Sequence, residues 1–169
     1  MPENSKYKIV DSGRIFSFKP NRYSLKLSVW TLGVILSLIL LSTIFYHHLT
    51  RGLVILLAVL GPYLILHSLY DIFIRAEICY LFDRMDRTVF RKKPFFPKKN
   101  LMPFEEMVIF TSTSGGYWHY ALGAKNSHLV KSYRISEDFR NGRVKSLKES
   151  AYEVDILTKL YEMTQLPVR

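Results

Sequence analysis

The sequence predicts a membrane-embedded helical hairpin joined to an α+β domain, and three observations lead to that prediction. Residues 27–46 and 52–74 form two long apolar runs separated by only five residues. Short runs rich in β-branched and aromatic residues follow, with turn residues between them. An amphipathic stretch with helical spacing then closes the chain. The net charge of +10 lies almost entirely outside the apolar runs, so the chain divides into an apolar part and a basic part.

Each apolar run has the length of a membrane-spanning helix. Residues 27–46 carry no charge, and residues 52–74 carry a single acid, Asp71. At about 1.5 Å per residue, twenty helical residues span roughly 30 Å, which is the thickness of a hydrocarbon core. Neither run has the polar face of a helix at a protein surface. We therefore predict transmembrane helices at 27–46 and 52–74, with an external turn at 47–51.

Positive charge predicts the orientation of this hairpin. Six Lys or Arg residues precede residue 27, one lies in the turn, and seventeen follow from Arg75 onward. Because cytoplasmic flanks are enriched in these residues, both termini are predicted to be cytoplasmic, with residues 1–26 as a basic segment.

Two groups of residues inside the hairpin suggest specific contacts. Gly33 and Ser37 lie four positions apart, and small residues at this spacing let helices approach closely. We favour packing within the hairpin over a homo-oligomer formed through Gly33 and Ser37. His67, Asp71 and Arg75 share one helix face. They are predicted to anchor the helix at the membrane interface, and the alternative is an ion site of a small transport unit.

Residues 76–169 show the pattern of an antiparallel meander closed by a C-terminal helix. Ser146 and Glu149 fit a capping box at the start of that helix, and Pro167 is predicted to end it. Residues 14–19, on the other side of the hairpin, alternate like one more strand. Strands followed by a helix indicate an α+β domain. The candidate strands lie at 77–82, 87–91, 107–113, 117–124 and 129–135.

Four short segments carry a resemblance to a known family. They are residues 80–84 (YLFDR), residues 87–91 (RTVFR), residues 103–106 (PFEE) and the helix from Leu147. With the two preceding helices, they make the chain resemble bacterial membrane proteins that have a pleckstrin-homology-like (PH-like) cytoplasmic domain. The resemblance implies a sheet curved into a partial barrel and a module that binds lipids or proteins. It also implies a bacterial inner membrane as the location, and it implies no catalytic residues.

Residues 91–99, named here the basic-aromatic segment, are the most informative local feature. Five cations flank two phenylalanines that lie between two prolines, and prolines disfavour a central strand, so we predict a loop. Each cation near an anionic leaflet contributes about 1 kcal/mol. We therefore predict binding of anionic lipid headgroups or of a protein partner, with nucleic acid the less favoured ligand. The predicted binding residues are Arg91, Lys92, Lys93, Phe95, Phe96, Lys98 and Lys99.

No sequence pattern assigns an enzyme activity. The single cysteine, Cys79, excludes an intramolecular disulfide and a cysteine-based zinc site. The chain contains no phosphate loop, dinucleotide fingerprint or HExxH motif. We predict a non-enzymatic protein without cofactor, metal site or catalytic residue. The alternative function is a membrane immunity protein that neutralises a toxin acting at the inner membrane, since that role needs no catalytic set.

Overall fold

Two long apolar helices separate the first two strands from the rest of an α+β fold in the computed structural model. The structure describes residues 6–126, 131–140 and 146–164, except for the side chains of Arg22 and Tyr23. In chain order, the first elements are strand β1 (Val10–Asp11), strand β2 (Ile15–Phe18), helix α1 (Leu25–Ile44) and helix α2 (Arg51–Tyr70). Helix α2 continues into a π-helical turn, Asp71–Arg75.

The strands form two antiparallel sheets, and a helix follows them. The first sheet has the order β1, β2, β3 (Cys79–Asp83), β4 (Thr88–Lys92) and β5 (Lys99–Pro103). The second sheet contains β6 (Met107–Ser114), β7 (Tyr117–Ala124) and β8 (Ser132–Arg134), and β9 (Phe139–Arg140) also pairs with β7. The closing helix consists of α3 (Leu147–Tyr152), a π-helical turn (Glu153–Leu157) and α4 (Thr158–Thr164). The predicted antiparallel α+β arrangement is confirmed.

Strand β2 joins the chain before the helices to the chain after them. Phe18 lies opposite Tyr80 on β3, and Phe16 lies opposite Phe82. Alternation along β2 places both phenylalanines in the core, where they are fully buried. The α+β unit therefore includes residues from both sides of the hairpin, and it extends beyond the predicted boundaries 76–169.

Aromatic side chains fill the core between the sheets and the closing helix. The rings of Phe18 and Phe82 stack with centroids 6.0 Å apart, within the range that aromatic pairs favour. Tyr152 is fully buried and donates its hydroxyl hydrogen bond to the carbonyl oxygen of Ile135 at 2.6 Å. Tyr7, from the segment before the helices, packs edge-on against Tyr152. The N-terminal segment and the closing helix thus share one core.

The strand pattern differs from the prediction around residues 91–99. Strand β4 ends at Lys92 and β5 begins at Lys99, so only residues 93–98 connect them. Strand β5 was not predicted, because it contains few β-branched or aromatic residues and ends in proline. Part of the fifth predicted strand, residues 129–130, and the predicted stop at Pro167 lie outside the described residues.

The predicted capping box at the start of the closing helix is present, since the Ser146 hydroxyl accepts a hydrogen bond from the Glu149 amide at 3.2 Å.

The two helices pack on each other through a different glycine from the one predicted. A Cβ atom at Gly61 would lie 3.4 Å from Ile39 Cδ1 on the facing helix, whereas a Cβ atom at Gly33 would meet no atom within 4 Å. Ser37 is exposed on the same outer surface as Gly33. The prediction that Gly33 and Ser37 pack within the hairpin is therefore wrong. When both helices are apolar on every face, a single sequence does not show whether a small residue faces the other helix or points outward.

Both helices are long and apolar enough to cross a membrane. The qualifying segments are Leu25–Ile44 and Arg51–Arg75, close to the predicted 27–46 and 52–74. Only 11% of the most apolar stretch of each is buried within the protein. A core helix of a water-soluble protein would instead be mostly buried.

Candidate functional site: two basic clefts beside the base of the helices

The basic-aromatic segment lies at the end of the first sheet from which the two helices emerge. Helix α2 reaches Arg75, and β3 begins at Cys79, which lies opposite Lys92 at the end of β4. Strand β2 ends at the same edge, because Phe18 lies opposite Tyr80. Antiparallel pairing therefore places residues 93–98 next to the base of the helices.

The two phenylalanines of this loop point away from the core. Phe95 is 90% exposed and Phe96 is 61% exposed. Phe95 has a φ of +63°, a left-handed conformation that non-glycine residues rarely adopt. The Phe96 amide donates to the Lys93 carbonyl oxygen at 3.3 Å, which closes the turn. The loop thus holds a large apolar ring in solvent with a strained backbone.

Most of the basic-aromatic segment lines a cleft of about 580 Å³, named here the lysine cleft. Three further lining residues lie outside this segment: Leu101 on β5, Lys131 directly before β8, and Tyr133 on β8. Among the described residues no acidic side chain lines this cleft. It therefore concentrates positive potential and suits an anionic ligand. The lining residues are Arg91, Lys93, Phe96, Pro97, Lys98, Lys99, Leu101, Lys131 and Tyr133.

A second cleft of about 450 Å³, the junction cleft, lies between the base of α2 and the sheets. Asp71 Oδ1 lies 3.5 Å from Arg75 Nη1, and Asp71 Oδ2 lies 3.7 Å from His67 Nδ1. The three predicted residues therefore lie in one chain of polar contacts, and all three line this cleft. The lining residues are Asn21, His67, Tyr70, Asp71, Arg75, Ile78, Tyr80, Arg91, Ser132, Tyr133 and Arg134.

Arg91 and Tyr133 line both clefts. The Arg91 guanidinium carbon lies 5.9 Å from the ring centroid of Tyr80 and 5.7 Å from that of Tyr133. Both distances fall within the range of cation–π attraction. Burial raises the pKa of Tyr80 to about 12, and the opposing effect of the Arg91 charge is smaller. Tyr80 is therefore uncharged, and its ring packs beside the Arg91 guanidinium.

The predicted residues do not all meet in one site. Arg91, Lys93, Phe96, Lys98 and Lys99 line the lysine cleft, whereas Lys92 and Phe95 are exposed outside it.

Lys131 and Tyr133 were not predicted as binding residues. They are distant from residues 91–99 in sequence, and strand alternation alone does not show which sheet they face. Their position follows from the pairing of β8 with β7.

Other ionisable residues of the domain take structural roles. Burial acts to raise the pKa of Asp83, but hydrogen bonds from the Met85 and Asp86 amides and from Arg14 outweigh it and lower the pKa overall.

His119 on β7 has a lowered pKa. Burial and the charge of Arg134 lower it, although Asp138 lies 3.5 Å from the His119 Nδ1. Within the described parts of the chain, no three His, Cys, Asp or Glu side chains are grouped to hold a metal ion.

Comparison with known proteins identifies no relative. No family model matches the chain, and neither a curated protein nor a solved structure is similar to it. The function must therefore be inferred from the geometry of the chain itself.

Proposed function

We propose that this chain is a non-enzymatic integral membrane protein whose α+β domain binds anionic lipid headgroups at the membrane surface. The observation that carries the proposal is the lysine cleft, whose cations lie beside exposed phenylalanines at the base of the two apolar helices. A PH-like partial barrel, as the sequence resemblance implies, is the fold we propose for the domain. The proposed location is a bacterial inner membrane.

The pairing of β2 with β3 supports a hairpin with both flanks on one side of the membrane. Two strands hydrogen-bonded in one sheet occupy one aqueous compartment, and the chain between them contains two helices of membrane-spanning length. Two crossings return the chain to the side from which it started. The excess of Lys and Arg outside the helices favours the cytoplasm as that side.

Cysteine labelling tests this topology. In a Cys79→Ser background, single cysteines are introduced by Lys8→Cys, His48→Cys and Lys148→Cys, all at exposed positions. A membrane-impermeant thiol reagent is expected to label position 48 in intact cells, and positions 8 and 148 only after permeabilisation. Labelling of positions 8 and 148 from opposite sides would contradict the proposed hairpin.

The exposed phenylalanines and the lysines support a lipid surface as the ligand. Aromatic rings are favoured at the interface between headgroups and acyl chains, and the lysines lie beside them. Cations near an anionic leaflet contribute about 1 kcal/mol each. A protein partner could use the same surface, but it would not explain why the surface adjoins the apolar helices.

Lipid binding to the full chain in detergent can be counted by native mass spectrometry. The wild type is expected to bind phosphatidylglycerol in preference to phosphatidylcholine. Lys98→Gln with Lys99→Gln removes two charges and should weaken phosphatidylglycerol binding roughly 10- to 30-fold. The control, Arg140→Gln with Lys148→Gln, removes two exposed charges outside both clefts and should change binding little. Equal loss of phosphatidylglycerol binding in the two double variants would contradict the proposal.

The immunity function stays a prediction, since no feature of the clefts favours it. A toxin gene beside the gene for this chain, together with rescue of cells that express that toxin, would support it.

A further inference from the structure

Within the described residues, no carboxylate lies within ion-pair distance of Arg91. Its buried Nε–H donates no hydrogen bond to a described residue, and the residue opposite it on β5 is another cation, Lys99. A partly buried cation without an ion-pair partner is unfavourable, because no opposite charge in contact with it offsets its desolvation. Two tyrosine rings nevertheless hold the guanidinium in one position. This arrangement is pre-organised for an anion from outside the chain.

The position of Arg91 lets one ligand contact both clefts. On one side lie the lysines of the lysine cleft, including Lys131. On the other side lies Arg75, at the base of α2, where the phosphates of a membrane lipid would be. Asp71 offsets part of the charge of Arg75, so the lysine cleft is the more positive of the two.

We propose that Arg91 is the phosphate-binding residue of a lipid site that spans both clefts, and that its ligand is a phospholipid carrying two phosphate groups. One phosphate contacts Arg91 on its junction side, near the membrane, and the other lies among the lysines. A headgroup with one phosphate reaches only one of these sets of cations. The inference rests on the proposed lipid-binding function and adds the chemical class of the lipid.

Guanidinium groups suit this role because they donate two parallel hydrogen bonds to one phosphate, whereas a lysine acts as a point charge. Arg91→Lys therefore keeps the charge but loses this geometry and the stacking between Tyr80 and Tyr133. Arg91→Gln loses the charge as well. Arg140→Gln is the matched control, because it removes one guanidinium charge from an exposed residue of β9 that lines neither cleft.

The test compares cardiolipin, with two phosphates, and phosphatidylglycerol, with one, on the full chain by native mass spectrometry. Lipids are supplied at equal phosphate concentration, and thermal unfolding confirms that each variant is folded. The wild type is expected to bind cardiolipin about tenfold more tightly, and Arg91→Gln should remove most of this preference. Arg91→Lys should reduce the preference, and Arg140→Gln should leave it intact. Inorganic phosphate is the competing free anion and should not displace cardiolipin.

Three results would overturn the inference: equal binding of the two lipids by the wild type, a preference that survives in Arg91→Gln, or displacement of cardiolipin by inorganic phosphate. Each of these results leaves the proposed function intact if anionic lipids still bind better than phosphatidylcholine. If neither anionic lipid binds better than phosphatidylcholine, the proposed function fails as well.

Discussion

Phe95 combines an exposed ring with a strained backbone, and both features have a cost when the protein is considered in water. A left-handed conformation costs a non-glycine residue about 1–2 kcal/mol, and the side chain buries little surface, since Phe95 is 90% exposed. Strain of this kind persists where the surrounding structure imposes it, often at functional positions. An exposed ring at the base of two apolar helices is consistent with contact with lipid.

Replacing Phe95 separates the strain from the function of the ring. Phe95→Gly removes both, whereas Phe95→Ala removes the ring but keeps the unfavourable φ of +63°. We expect the glycine variant to be more stable than the alanine variant by about 1 kcal/mol, as measured by chemical unfolding in detergent. Both variants should bind phosphatidylglycerol more weakly than the wild type. Wild-type binding by both variants would show that the ring does not contact lipid.

Asp83 gives the domain a dependence on pH through the turn between β3 and β4. Its carboxylate accepts hydrogen bonds from the Met85 amide at 2.9 Å and the Asp86 amide at 3.3 Å. Because folding lowers the pKa of Asp83 below its ordinary value of 3.8, its stabilising contribution is present above that value. The contribution is lost as the pH falls through the lowered pKa of the folded state.

Asp83→Asn should therefore be less stable than the wild type at neutral pH, and the difference should shrink below the ordinary carboxyl pKa. Asp86→Asn changes an exposed carboxylate of the same turn and is the control. Urea unfolding across acid and neutral pH measures both variants. A difference between Asp83→Asn and the wild type that does not change with pH would contradict this assignment.

At the scale of the elements, the two apolar helices show how little a single sequence says about their contact. Gly61 and Gly33 both lie in uniformly apolar helices, yet only Gly61 faces the other helix, against Ile39. The outward position of Gly33 and Ser37 leaves the predicted homo-oligomer through these residues as a prediction.

Gly61→Leu should separate the helices, because its side chain needs space that Ile39 occupies. Overpacking of this kind costs about 1–3 kcal/mol, which thermal unfolding in detergent would detect. Gly33→Leu places the same side chain on an open surface and should leave hairpin stability nearly unchanged. The mass of the Gly33→Leu protein by size-exclusion with light scattering also tests the homo-oligomer. Equal destabilisation by both substitutions would contradict the observed packing.

At the scale of the whole molecule, the hairpin is an insertion between two adjacent strands of one sheet. Strand β2 supplies the fully buried Phe16 and Phe18, so a fragment of residues 76–169 lacks part of its core. Deleting a large buried aromatic side chain costs about 3–5 kcal/mol. Loss of two such residues costs about 6–10 kcal/mol, which is comparable to the whole free energy of unfolding of a small domain, about 5–15 kcal/mol.

We expect residues 76–169 alone not to fold. A chain that joins residues 6–19 to residues 77–164 through a short Gly/Ser linker in place of the hairpin should fold, because Phe18 and Tyr80 are already neighbours. Near-ultraviolet circular dichroism and cooperative thermal unfolding distinguish the two outcomes. A cooperative transition of the isolated 76–169 fragment would contradict the shared core.

Local patterns determined much of this protein. The length and uniform apolarity of the two runs predicted two helices that can cross a membrane. Turn residues between segments rich in strand-forming residues predicted an antiparallel α+β fold. The capping box at Ser146 and the five cations of residues 91–99 were also readable directly, because each depends on residues close in sequence. Strand β5 was missed, since its residues have little intrinsic preference for a strand.

Only the tertiary structure decided which distant residues meet. The pairing of β2 with β3 across the hairpin, the choice of Gly61 over Gly33, and the approach of Tyr133 and Lys131 to Arg91 all join residues far apart in the chain. Such contacts follow from strand register and helix rotation, which depend on the packing of the whole core. Sequence composition supplied the charges, but packing determined that Arg91 stands between two tyrosines where both clefts meet.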